Sequence, residues 1–188
     1  MSDFSPSGVA PAKSAMRAAV LSARRSLPGP ERRRRDTAIA AALAPFARGV
    51  VAAFVPLEDE PGDVDALRDA HRVLFPVLRA DNDLDWAVFG GSLAPGRFGL
   101  REPVGPRLGV DAVLTADLLV VPALAVDAYG RRLGRGGGSY DRVLARVAGV
   151  VPAFAVIDDT EVVPVVPVEP HDRPVQGYVT PGGLHRVP

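Results

Sequence analysis

The chain has 188 residues, enough for one well-packed core and too few for two domains of ordinary size. Its 23% charged, 47% hydrophobic and 6% aromatic residues fit a soluble globular protein rather than a disordered or membrane-embedded one, and the absence of cysteine excludes a disulfide framework, a metal thiolate and a cysteine nucleophile. Net charge is zero but uneven: residues 1–48 hold nine Lys or Arg against three Asp or Glu, so a basic head that could meet an anion precedes an acidic body.

Residues 1–12, small and polar with two prolines, are expected to form a flexible tail ahead of a single domain over 13–188. No apolar signal region opens the chain, and no apolar run reaches the roughly 18 residues of a membrane span, so a cytoplasmic protein is expected. From Lys13 onward, Met16, Val20, Ala23 and Leu27 recur on one helical face, and Pro28-Gly29 ends that helix. Pro30 suits a first helical position; Ile39, Leu43 and Phe46 mark a second helix, broken near Pro45. The run Arg32–Arg35 on it reads as a solvated face, with anion steering the weaker possibility. After Gly49 the pattern turns to short apolar runs, VVAAFVPL, VLFPVL, LLVVPALAV and VVPAFAV, which read as strands buried on both faces. Helix-compatible pieces lie between them, at Asp63–His71 and Tyr140–Val147. The alternation predicts an α/β fold, a parallel or mixed sheet with helices on both sides, whose ligands bind beyond the carboxyl ends of its strands.

LGRGGGSYDR, residues 133–142, falls at such a place. Glycine lets backbone N–H groups converge without Cβ atoms in the way, and at a helix N-terminus such amides attract an anion. Arg132 and Arg135 add full charges. A phosphate cradle and a plain strand-to-helix turn both remain open on these residues alone. A Walker A loop, GxGxxG and GxSxG all fail to match, the last because Asp141 occupies its final position. Asp141 has the character of a cation ligand and equally that of a carboxylate pairing with the first turn of a helix.

RLGRGGGSYDR, preceded by LLVVPALAVDAYG, resembles the signature of the 5-formyltetrahydrofolate cyclo-ligase family, also called methenyltetrahydrofolate synthetase. The resemblance extends in order over residues 13–181, through KSAMR and LSARRSL, FVPLEDE, GLREP, EPHDRPV and YVTP. It implies a three-layer α/β/α domain with a mostly parallel, mixed central sheet. It also implies ATP- and Mg2+-dependent closure of 5-formyltetrahydrofolate to 5,10-methenyltetrahydrofolate, with release of ADP and phosphate through a phosphorylated formyl group. By matching position, the nucleotide would be bound by Lys13, Ser14, Ala15, Met16 and Arg17 and by Arg132, Leu133, Gly134, Arg135, Gly136, Gly137, Gly138, Ser139 and Tyr140. Arg135 and Lys13 would act on the transferring phosphoryl group. Asp141 and Asp172 would hold Mg2+, and Leu57, Glu60, Gly62 and Tyr140 would contact the folate. The sequence departs from the family at Ala123, where members have glycine, at Val126, where they have an aromatic, and at Ser139, which replaces one tyrosine of a pair.

The resemblance leads us to expect a monomer acting on a small molecule whose polyglutamate tail is optional, with no nucleic acid and no membrane partner. Trp86 reads as packing and His71 as surface, while His171, beside Asp172, is a lesser candidate for touching phosphate or substrate. The competing reading is a non-catalytic nucleotide- or RNA-binding protein on the same fold, suggested by the arginine run and opposed by zero net charge and the lack of an aromatic-interleaved basic patch.

Overall fold

A computed structural model describes residues 6–188. Helix α1 (Pro6–Ser26) begins well before Lys13, so residues 6–12 are helix where a tail was expected; the expectation for residues 1–5 lies outside the described residues. Val9, 7% exposed, extends the apolar face two turns ahead of Met16, a periodicity that Pro11 disguises. Helix α2 (Gly29–Leu43) carries Pro30 in its first two positions, where a missing N–H costs nothing.

The strands are β1 (Val50–Ala52), β2 (Arg72–Leu78), β3 (Leu84–Val88), β4 (Leu93–Pro95), β5 (Arg101–Pro103), β6 (Leu118–Pro122), β7 (Ala125–Val126) and β8 (Arg132–Leu133). Helix α3 (Ser139–Val147) follows, then β9 (Ala153–Val156), β10 (Gly177–Thr180) and β11 (Gly183–Arg186). Seven strands form the main sheet in the order β11-β10-β9-β6-β1-β2-β3. The five inner strands are parallel, and β3 and β11 close the two ends as antiparallel edges. Each apolar run of the sequence supplies one inner strand. The stretch Asp63–His71 yields only a short 3-10 turn, Val64–Leu67, capped by the Asp63 carboxylate accepting from Asp65 N–H.

Side-chain alternation splits the core into two layers. Ala52, Leu74, Leu119, Val121, Ala153 and Ala155 meet Val143, Leu144 and Val147 of α3 on one face. Val51, Ala53, Phe75, Val120, Phe154 and Val156 meet Ile39 and Leu43 of α2 on the other. The result is the expected three-layer α/β/α architecture with a mostly parallel sheet. Helix α1 lies on neither face; its Met16, Val20 and Leu21 pack against Leu124, Leu133 and Val166, next to the β7–β8 hairpin. From β1 the chain adds β2 on one side and later β6 on the other, so strand order reverses between β1 and β6. A reversal of that kind opens a crevice beyond the carboxyl ends.

Candidate active site

A cavity of about 450 Å3 occupies that crevice. Its floor is the chain leaving β6 (Pro122, Ala123, Leu124) and β1 (Phe54, Val55, Leu57) together with Pro76 and Leu78 of β2; its roof is the continuous stretch Gly134–Asp141. Sequence reasoning therefore located the roof, while the apolar side toward β2 and β3, including Leu84, Phe98, Leu100 and Arg101, went unnoticed. Phe98 is the informative omission. It is 77% exposed and adopts φ +56, a left-handed conformation that a bulky side chain rarely takes, in the turn joining β4 to β5. An aromatic held so at a cavity mouth can cover a flat ring.

The glycine loop has the properties of an anion cradle. Gly136 and Gly138 take φ +102 and +72, and Gly138 stands immediately before α3. Among the described residues, the N–H groups of 134–138 make no hydrogen bond to the protein, so they are left for water or a ligand. Three cations surround them. Arg17, from α1, donates through Nε to the Gly134 carbonyl at 2.9 Å, and its guanidinium passes 3.6 Å from the point where a Cβ on Gly136 would stand. Arg132, buried, donates Nη1 to the Pro122 carbonyl at 3.2 Å and Nη2 to Asp141 Oδ1 at 3.0 Å, while its Nε is buried without a partner among the described residues. Arg135 donates Nε to Glu60 Oε1 at 2.8 Å and Nη2 to Asp59. Its partial burial disfavours the charge, but the Glu60 and Asp59 carboxylates outweigh that and raise its pKa above the ordinary value. Leu133 instead points into the small core beneath α1.

Within the segment 13–17, Ser14 and Ala15 face solvent and Met16 packs into the core, leaving Lys13 and Arg17 on the inner side. Lys13 is 3% exposed, and its ammonium donates to Glu169 Oε2 at 2.7 Å and to Asp172 Oδ2 at 2.5 Å. Asp172 Oδ2 also accepts the Glu169 N–H at 2.6 Å. Burial pushes the Asp172 carboxyl up, but the Lys13 bond, the Glu169 amide and the Lys13 charge together hold it below the usual range. Glu169 is lowered by the same lysine.

Ligand atoms of Glu169, His171 and Asp172 lie within 4.8 Å of one another, two hard carboxylates beside a borderline imidazole, a grouping that could hold a divalent cation. Asp141 stands one residue over from that group, its Oδ1 accepting the Arg173 N–H at 3.3 Å as well as Arg132. Both bonds fall on Oδ1, so Oδ2 is left for another ligand. The expected pair Asp141 and Asp172 thus sits on adjoining segments, and Glu169 is a third carboxylate that sequence reasoning missed.

Of the residues expected to contact the folate, Leu57 and Glu60 line the cavity beside Tyr140. Glu60 is 7% exposed, and its Oε2 accepts the Leu57 N–H at 3.0 Å, which fixes the carboxylate at the cavity wall. Burial pushes the Tyr140 hydroxyl well above its ordinary value, aided by Glu60 and opposed by Arg132, so the ring stays neutral. Gly62 is absent from the cavity lining. At φ +121 it turns the chain behind Glu60, close to Pro56 and Phe54, so it supports the loop rather than lining the cavity. His171 is exposed, and Trp86 is fully buried in the core.

The sequence profile of the 5-formyltetrahydrofolate cyclo-ligase family matches residues 9–181. A 5-formyltetrahydrofolate cyclo-ligase of Mycolicibacterium smegmatis is 40% identical over 182 residues, covering 90% of this chain and 93% of that one. Among solved structures, the 5,10-methenyltetrahydrofolate synthetase of Aquifex aeolicus is similar with a TM-score of 0.78 and 29% identity, covering 93% of this chain and 92% of that one. The synthetase of Mycoplasma pneumoniae, at 18% identity and TM-score 0.72 over 90% and 98% of the two chains, shares the fold. With the family profile spanning residues 9–181 and a 40% identical relative covering nine tenths of both chains, the chain belongs to the 5-formyltetrahydrofolate cyclo-ligase family.

Proposed function

We propose that this enzyme uses ATP and Mg2+ to convert 5-formyltetrahydrofolate into 5,10-methenyltetrahydrofolate, with ADP and phosphate as the other products. The observation that carries this reading is the row of unbonded N–H groups at 134–138, flanked by Arg17, Arg132 and Arg135 and roofing an apolar cavity that contains Glu60. Triphosphate oxygens would lie on the loop amides, and the pterin beside Leu57, Glu60, Tyr140 and Phe98. Glu60 would accept from the ring's N–H groups.

Phosphoryl transfer asks a protein for positioning and charge neutralisation rather than for its own nucleophile, and no nucleophile is required of this chain. The formyl oxygen attacks the γ-phosphorus and ADP leaves. The neighbouring folate nitrogen then attacks the formyl carbon and gives up its proton, and phosphate departs with the former formyl oxygen. Arg135 and Arg17 would neutralise charge as it develops on the phosphoryl oxygens. Asp141, Asp172 and Glu169 are the residues that would hold Mg2+, which would supply charge neutralisation to the phosphates. Because Lys13 already bonds both Asp172 and Glu169, it tunes those carboxylates and would face the phosphates only from their far side.

The arginine run of α2 offers little to RNA, since Arg32 and Arg35 are turned toward the protein itself. Incubation with ATP, Mg2+ and 5-formyltetrahydrofolate is expected to raise near-ultraviolet absorbance as the methenyl product forms. No rise with folded protein would refute the proposal.

A further inference from the structure

The buried stripe of α2 is Arg35, Ile39 and Leu43, four residues apart. Ile39 and Leu43 pack beneath the sheet, whereas Arg35, 5% exposed, holds a position where an apolar residue is the norm. A guanidinium so buried requires partners. Its Nε donates to Asp36 Oδ1 at 2.9 Å, and its Nη2 reaches the Glu60 carbonyl at 3.4 Å. The same Asp36 oxygen accepts the Gly62 N–H at 3.1 Å. One turn earlier, Arg32 donates Nη1 to the Glu58 carbonyl at 3.1 Å. Side chains from a single stretch of α2 therefore grip the backbone at 58, 60 and 62, in a loop that belongs to no strand.

We propose that Arg35 and Asp36 are positioning residues for Glu60: without touching the ligand, they set the affinity for the pterin-bearing substrate. This rests on the functional reading above. The direction of the Glu60 carboxylate depends on where the backbone at 57 and 60 lies, because Oε2 is bonded to Leu57 N–H and residue 60 closes a turn through its own N–H to the Leu57 carbonyl at 2.9 Å. Asp36 is the joint of the grip, since its Oδ1 serves both Arg35 and Gly62. Helix α2 keeps Ile39 and Leu43 in the core when that joint is weakened, so the loop yields before the helix does.

The test is Asp36→Asn in the full chain, with Arg35→Lys as the conservative companion. In steady state, Asp36→Asn, which keeps the acceptor oxygen for Arg35 and Gly62 but removes the charge that strengthens both bonds, is expected to raise the KM for 5-formyltetrahydrofolate about tenfold, with the KM for ATP and kcat within about twofold of wild type. Arg35→Lys, which keeps the charge but not the fork, is expected to fall between the two. An unchanged KM for the folate in folded Asp36→Asn, or an equal rise in both KM values, would overturn the proposal. Amide hydrogen exchange over residues 57–62 is read in parallel on unliganded protein. About tenfold faster exchange in Asp36→Asn is expected, and unchanged protection would overturn the grip whatever the activity. A wild-type protein without turnover would instead count against the functional reading, leaving the exchange result to decide on the grip.

Discussion

Replacing Arg24 with methionine tests how α1 is fastened to the site. Arg24 donates Nε and Nη2 to the two oxygens of Glu161 at 2.6 and 2.7 Å, and Nη2 also donates to the Ala123 carbonyl at 2.6 Å. The side chains are 2% and 6% exposed, so removing the guanidinium leaves a carboxylate buried without its counter-charge. Breaking a buried pair from one side costs about 3–5 kcal/mol. The lower end applies here, because Arg24 Nη1 is already buried without a partner among the described residues and Glu161 keeps its bond from Asp158 N–H. For a chain of this size, about 3 kcal/mol corresponds to a melting temperature lower by roughly 6–12 °C. Urea unfolding followed by circular dichroism measures it directly. Arg24→Met/Glu161→Gln, which removes the stranded charge and keeps an acceptor for Asp158 N–H, is expected to recover at least half of the loss. A single variant within about 1 kcal/mol of wild type, or a double variant no better than the single one, would refute the argument.

The carboxylates of Asp172 and Glu169 are both held below their ordinary range, so the stability they lend is complete above about pH 5 and is lost as pH falls through their folded-state values. Unfolding midpoints at pH 5 and pH 3 should show that loss, and Lys13→Met should lose less over the same interval. Gly138→Ala meets no atom within 4 Å, so only the φ of +72 opposes it; a cost of about 1–2 kcal/mol in urea unfolding is expected. Arg135→Ala is expected to lower turnover by about 10²-fold, as losing a donor to developing charge does; wild-type rates would place the phosphates elsewhere.

Four of the five inner strands were legible because a strand covered on both faces must be apolar throughout, and LLVVP and AFAV have no other stable home; the fifth, β10 with GYVT, is too short and too polar to stand out as an apolar run. Strand β3 was not, because Asp85 interrupts LDWAV with a carboxylate that accepts from Gly109 N–H, a contact 24 residues away in sequence. The glycine loop announced itself through its composition, which no packing role requires. The place of Gly62 outside the cavity lining was not legible, because a glycine near a ligand residue and a glycine that turns the backbone look alike in sequence. Arg35 was hidden inside a run of four like charges, where only three-dimensional context separates the buried one from Arg33 and Arg34, which face solvent. Phe98 stood beside the GLREP motif, yet its exposure at the cavity mouth depends on a β4–β5 hairpin that sequence periodicity is too short to reveal.

Helix α1 brings Lys13 and Arg17 to the candidate site and is pinned by those residues and Arg24, with a thin apolar seam of Met16, Val20 and Leu21, and the buried Val9, to assist. The dry aliphatic sheet is indifferent to protons, whereas this attachment is not. Acid strong enough to protonate Asp172 and Glu169, below about pH 4, should therefore loosen the first helix at Lys13 before the sheet yields, leaving a dormant enzyme that neutral buffer revives.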